Sequence, residues 1–174
     1  ALGRMPKYDK SGFIAAAIEK IVSSLKMIAL YPCYKIADRK LAMVRQRFGG
    51  RLRLAISGGG TLATYLEEWL DAVGIRIVNA YGMTECSPAI AGRGVACRVY
   101  GTVGPPVART ELRVVDEDGQ QIPPGNEGFI EVRGAQVTRG YYKNEEENQK
   151  SFTPDGFFKT GDLGRLTLGG ELTI

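Results

Sequence analysis

Residues 52–78 constrain this chain more than any other stretch. Leu52, Leu54 and Ile56 alternate with Arg51, Arg53 and Ala55, the two-residue period of a strand. Ser57-Gly58-Gly59-Gly60 then turns the chain, and Leu62, Tyr65, Leu66, Trp69, Leu70 and Val73 recur at helical spacing as one apolar face, which assigns Trp69 to the core. Gly74 is placed to cap this helix, and residues 75–78 supply a second strand. A strand–helix–strand unit of this length closes as a parallel pair with a right-handed crossover, so the segment predicts α/β architecture.

The flanks are of two kinds. On the N-terminal side Ile14, Ile18, Ile21, Val22, Leu25 and Ile28 predict an amphipathic helix that breaks near Tyr31-Pro32, and a second helix follows over residues 36–48, with Leu41, Val44 and Phe48 on one face and Gly49-Gly50 at its end. Beyond about residue 98, glycine and proline become dense and short β-rich runs take over. Residues 111–115 and 129–133 predict antiparallel strands around the Asp116-Glu117-Asp118-Gly119 turn, with Pro123-Pro124-Gly125 as a loop. Asn144, with Glu147 three residues on, opens a short helix. Thr153-Pro154-Asp155-Gly156 returns the chain to residues 157–160, and residues 171–174 read as a last strand. The expected division is an α/β part over 1–98 and a β-rich part over 99–174.

Composition removes several chemistries. There is no histidine among the 174 residues, which excludes Ser/His/Asp and Cys/His triads and His-ligated metals. Cys33, Cys86 and Cys97 are an odd number without C-x-x-C spacing, so neither a disulfide framework nor a zinc knuckle is indicated, and a reducing cytoplasm is the expected setting. No apolar run approaches the roughly 20 residues that span a bilayer. Charge is divided unevenly: residues 1–53 carry 12 Lys or Arg against 3 acids, and the rest carry 11 against 16. A basic half of this kind suits either solvated helix faces or peripheral contact with an anionic membrane surface, and no motif points to nucleic acid.

Two stretches carry the chemistry. Gly58-Gly59-Gly60-Thr61-Leu62-Ala63 fits G-x-G-x-x-[GA] between a strand and a helix, which serves either a tight turn with close helix packing or the approach of a pyrophosphate to backbone N–H groups. A dinucleotide site also asks for an acidic residue at the end of the next strand, where this chain has Asn79. That argues against a nicotinamide enzyme. Asn79-Ala80-Tyr81-Gly82-Met83-Thr84-Glu85 then falls just outside the carboxyl end of the second parallel strand, where ligands bind in open α/β sheets. It offers an aromatic face, a glycine for backbone approach, a hydroxyl, and a carboxylate able to hold a hard cation such as Mg²⁺.

With these residues in view, the chain resembles the adenylate-forming enzymes, a family that includes acyl-CoA synthetases. Tyr81-Gly82-Met83-Thr84-Glu85 is similar to the family's Tyr-Gly-x-Thr-Glu motif, and Ser57-Gly58-Gly59-Gly60-Thr61-Leu62 to its Ser-Gly-Gly-Ala-Pro-Leu loop. Further on, 128–134 with Gly140-Tyr141-Tyr142 resembles its Gly-Glu-Leu…Gly-Tyr segment, and Thr160-Gly161-Asp162-Leu163 its Thr-Gly-Asp-Leu segment. Thr84-Glu85-Cys86-Ser87-Pro88 and the residues around Phe48-Gly49-Gly50-Arg51 look most like long-chain fatty acyl-CoA synthetases.

The resemblance implies a piece of the large N-terminal domain, a parallel-sheet portion followed by a small, β-rich distorted barrel, with the pyrophosphate loop and the catalytic lysine outside this chain. It implies ATP, Mg²⁺ and CoA, and a fatty acid as substrate. By position, Tyr81 would stack on adenine, Asn79 would approach its exocyclic amine, and Ala80, Gly82 and Met83 would complete the nucleotide-binding run. Thr84 would contact the α-phosphate, Glu85 would hold the metal, and Asp162 would bind the ribose hydroxyls. Gly58, Gly59 and Gly60 would line the purine and carboxylate side. Cys86 is read as a small buried thiol, and Asp162, taken alone, as a turn residue after Gly161.

Overall fold

The N-terminal helix runs straight through the proline expected to end it. In the computed structural model, which describes residues 10–174, helix α1 spans Lys10–Arg47 with Pro32 inside. Proline removes one N–H from the ladder and costs about 3 kcal/mol, but one missing bond does not terminate a helix of 38 residues. Asp38 and Arg45, two turns apart, pair at 2.7 Å. The side chains of Ile14, Ile18, Ile21, Val22 and Ile28, expected on one apolar face, lie outside the described residues. Leu41 and Val44 are half-buried, while Phe48 is exposed. Gly49 and Gly50, both at positive φ, turn the chain out of the helix. The chain divides here into two units, and the second starts at Arg51.

The second unit opens with the expected β-α-β element. Strand β1 (Leu54–Ser57) lies parallel to β2 (Arg76–Gly82), from Leu54 opposite Arg76 to Ser57 opposite Asn79. Helix α2 (Thr64–Val73) joins them and ends at Gly74, whose left-handed φ of 94° lets its N–H reach back to Asp71 and the next N–H to Leu70. β2 outlasts its partner. Beyond Asn79 it pairs antiparallel with β3 (Ala89–Gly92), so Asn79, Ala80, Tyr81 and Gly82 sit on the strand itself, not outside its end. Gly82 is required there: a Cβ would stand 1.9 Å from the Pro88 carbonyl oxygen, closer than any side chain tolerates.

A curled antiparallel sheet follows, in the order β4-β5-β6-β7. β4 (Thr110–Val115) and β5 (Gly128–Gly134) pair as the sequence predicts, and Asp116 closes the turn after β4 by accepting from the N–H groups of Asp118 and Gln120. The helix α3 (Glu145–Ser151) is capped by the Asn144 side chain, which accepts from the Glu147 N–H. β6 (Phe158–Leu166) is twice the expected length, and β7 is Leu172–Thr173. Against β5, register jumps from Leu163 opposite Phe129 to Lys159 opposite Glu131. The extra residues on β6 form a bulge around Gly161, at φ 80°. Asp162 is therefore a strand residue aimed by a bulge, and the turn assignment does not hold.

One core serves both sheets. Cys86, Ile90 and Ala91 pack with Ile130, Val132, Phe158 and Leu172, and Tyr81 and Met83 rest against this cluster. Several apolar assignments fail, among them Leu54 on β1 and Tyr65 and Leu66 on α2, which are exposed. Ile56 on β1 is 74% exposed and Trp69 on α2 is 48% exposed, while α2 turns Glu67 and Val73 to the interior. Periodicity identifies an apolar face but not whether anything covers it, and among the described residues β1 pairs only with β2.

Candidate functional site

The bulge on β6 brings Asp162 beside Tyr81 on the lining of a cleft of about 460 Å³ at the end of the parallel pair. One wall is the glycine loop, with Ser57, Gly59, Gly60 and Thr61; the floor is the Asn79-Ala80-Tyr81-Gly82 run; the far wall is the Gly101-Thr102-Val103 turn. The Tyr81 hydroxyl donates to Asp162 Oδ2 at 2.5 Å. Burial, and then this bond to a carboxylate, push the Tyr81 phenol far above its ordinary range, so it is a neutral donor throughout the physiological span. Asp162 is itself held by its bulge: its N–H donates to Thr160 Oγ1 at 3.2 Å, and the Thr160 hydroxyl donates to the Ile130 carbonyl at 2.9 Å.

The three glycines separate into two roles. A Cβ on Gly58 would meet the Ala80 carbonyl oxygen at 3.2 Å, so Gly58 permits close approach of β2 and does not line the cleft. Gly59 and Gly60 have nothing within 4 Å and leave the wall open to a flat or charged group.

Met83, Thr84 and Glu85 follow immediately but do not contribute to the lining. Met83 packs on the core, and Thr84-Glu85-Cys86 form one turn of 3-10 helix. Glu85 is half-buried and accepts a 3.0 Å hydrogen bond from the Tyr141 hydroxyl, whose pKa is raised by desolvation and by that carboxylate. The Glu85 carbonyl also accepts from the Thr138 N–H at 2.7 Å, tying the Tyr-Gly-x-Thr-Glu turn to the loop before Tyr141. Cys86 is fully buried, with its thiol pushed up to about 11 by burial and by the neighbouring Glu85 charge, and is not a nucleophile. Among the described residues no three or more Cys, Asp or Glu cluster as a metal site, and no helix is long and apolar enough to cross a membrane.

Sequence reading missed the residues behind the cleft. Glu67, placed on the α2 helix, is completely buried and pairs with Arg93. The second oxygen of Glu67 accepts from Asn79 Nδ2 at 3.5 Å and from the Gly101 N–H at 3.4 Å. Arg93 donates to the carbonyls of Val99 and Ile77, and Arg76, paired with Asp71 at 3.2 Å, donates to the carbonyl of Cys97. Both guanidinium groups also face the ring of Tyr100, at 5.9 and 5.7 Å. Two arginines thus hold the segment that delivers Gly101 to the cleft. The only sequence signal was three acids, Glu67, Glu68 and Asp71, in an apolar helix, which surface helices show routinely.

The profile of the AMP-binding enzyme family matches residues 13–142. The probable acyl-activating enzyme 16, chloroplastic, of Arabidopsis thaliana is 34% identical over 156 residues, 89% of this chain and 22% of that protein. Long-chain-fatty-acid–CoA ligase 1 of Schizosaccharomyces pombe is 41% identical over 130 residues, 72% of this chain and 19% of that protein. The crystal structure of ATP-bound MatB from Rhodopseudomonas palustris superimposes with a TM-score of 0.67 at 38% identity, over 72% of this chain and 25% of that one. The chain therefore spans about a fifth of the length of these curated relatives.

Proposed function

Because the chain belongs to the AMP-binding enzyme family, we propose that it supplies the adenine- and ribose-binding part of an ATP-dependent acyl-CoA ligase acting on a long-chain fatty acid. The observation that carries this reading is the meeting of Tyr81 and Asp162 on one cleft, an aromatic face and a ribose-competent carboxylate contributed by different sheets. In this reading adenine lies against Tyr81, beside the open wall of Gly59 and Gly60, with its amino edge toward Asn79. Asp162 accepts from the ribose hydroxyls.

The fatty-acid carboxylate attacks the α-phosphorus of ATP, the bond to the β-phosphate oxygen breaks, and pyrophosphate leaves. The CoA thiol then displaces AMP from the acyl adenylate, giving the thioester. Thr84 follows the nucleotide run and offers its hydroxyl to the α-phosphate. Glu85 offers one carboxylate to Mg²⁺, a metal that takes one or two protein carboxylates and completes its shell with water and substrate phosphates. The bound metal would neutralise charge developing on the phosphates. Tyr141 keeps the Glu85 carboxylate oriented by its 3.0 Å bond.

The test is carboxylate-dependent ATP–pyrophosphate exchange by the whole protein, across fatty acids of graded length, with Glu85→Ala as control. Exchange that peaks at long chains and collapses in the variant is expected. Nucleotide binding with no exchange for any acid would instead assign a non-catalytic binding module, and a response to NADH but not ATP would restore the nicotinamide alternative. Residues 1–174 alone are expected to bind ATP weakly and not to turn it over; catalysis by that chain overturns this part of the reading.

A further inference from the structure

A buried ion pair is a poor way to stabilise a fold, because removing two charges from water costs as much as their attraction returns. The Glu67–Arg93 pair, with side chains 1% and 0% exposed, therefore asks for another reason, and its geometry gives one. One Glu67 oxygen faces Arg93. The other serves the cleft, accepting from Asn79 Nδ2 on the floor and from the Gly101 N–H on the far wall.

An ionised carboxylate only accepts hydrogen bonds, so of the two ends of the Asn79 amide it is the nitrogen that must face Glu67. The amide is planar, and its oxygen then points the other way. Among the described residues nothing donates to Asn79 Oδ1, while Asn79 itself lines the cleft. We propose that Glu67 is a positioning residue for base selectivity, fixing the Asn79 amide so that the cleft presents an acceptor to the edge of a purine. The inference rests on the nucleotide reading of the cleft and deepens it. A purine with a 6-amino group supplies the matching donor. One with a 6-oxo group sets two acceptors against each other.

Arg93 completes the device. Arg93 supplies the counter-charge to the carboxylate, and its bonds to the Ile77 and Val99 carbonyls tie the pair to β2 and to the turn preceding Gly101.

The experiment is a titration of the whole protein with ATP and with inosine triphosphate, at saturating Mg²⁺, followed by calorimetry. Wild type is expected to favour ATP by about tenfold, the scale of one hydrogen bond gained against one acceptor clash. In Glu67→Gln the new amide can donate, Asn79 can flip, and the ratio is expected to fall several-fold toward one. That variant leaves Arg93 buried without its counter-charge, so Glu67→Gln/Arg93→Met is made in parallel as a neutral pair, with folding checked by circular dichroism. Asn79→Ala, which keeps the ion pair, is expected to lose the preference as well. A ratio unchanged in a folded Glu67 variant, or preserved in Asn79→Ala, overturns the positioning role and leaves the nucleotide site standing. Equal binding of the two nucleotides by wild type does the same. Binding of neither nucleotide by wild type overturns the nucleotide reading and this inference together.

Discussion

Tyr81 and Asp162 lie 81 residues apart in sequence and share a 2.5 Å hydrogen bond, the tyrosine donating from the end of a parallel strand to a carboxylate on a bulged antiparallel one. Both residues line the cleft, and the bond lets each fix the other's position. Asp162→Ala removes both the acceptor and the proposed ribose contact and is expected to weaken nucleotide binding about 10- to 100-fold, the range for a charged hydrogen bond. Tyr81→Phe keeps the ring and frees the carboxylate, and is expected to cost less than tenfold. Calorimetric titration with ATP checks both; a larger loss in Tyr81→Phe than in Asp162→Ala contradicts the assignment.

Two glycines are expected to part company on substitution. Gly82→Ala forces a methyl group to 1.9 Å from the Pro88 carbonyl, which requires the β2–β3 pair to separate. A loss of more than about 3 kcal/mol is expected in urea unfolding, the scale of severe overpacking. At Gly60 a methyl group meets nothing within 4 Å and no positive φ opposes it, so stability is expected to hold within about 0.5 kcal/mol. Nucleotide affinity is expected to fall there, because the same methyl group intrudes on the open wall.

Asp155 makes a pH-dependent contribution whose direction follows from its partners. Arg113 grips it with two bonds, at 2.7 and 3.1 Å, and with help from Thr153 holds its carboxyl at about 2, below the ordinary 3.8. A carboxyl with a depressed folded-state pKa stabilises above its unfolded value, and the contribution disappears as pH falls through the folded one. The melting temperature of Asp155→Asn is therefore expected to lie below wild type at neutral pH. The gap should narrow from about pH 4 and close near pH 2; a gap that is constant with pH refutes the assignment.

The cysteines predict a labelling pattern. Cys33 is exposed and Cys86 is buried with its thiol pushed up to about 11. Iodoacetamide at pH 8 is expected to modify Cys33 in the native protein and Cys86 only after denaturation, as read by peptide mass analysis. Native modification of Cys86 would show that the shared core opens far more readily than its packing implies.

The features legible along the chain were those carried by its neighbouring residues. The β-α-β unit followed from two periods and a glycine turn, the hairpin of β4 and β5 from its Asp-Gly turn, the α3 cap from Asn144, and the composition of the cleft floor from residues 79–82. Each depends on local sterics and hydrogen bonding, which spacing reports directly. Tertiary structure decided the rest. Pro32 was absorbed because α1 has enough bonds to survive one loss, and Trp69 stayed half-exposed because an apolar face needs a partner before it becomes a core. Asp162 reached Tyr81 only through a register shift between β5 and β6. Glu67 became the residue behind Asn79 only because α2 turned it inward onto an arginine that follows it by 26 positions. The burial of a charge is set by what the fold brings against it, and no periodicity along the chain encodes that.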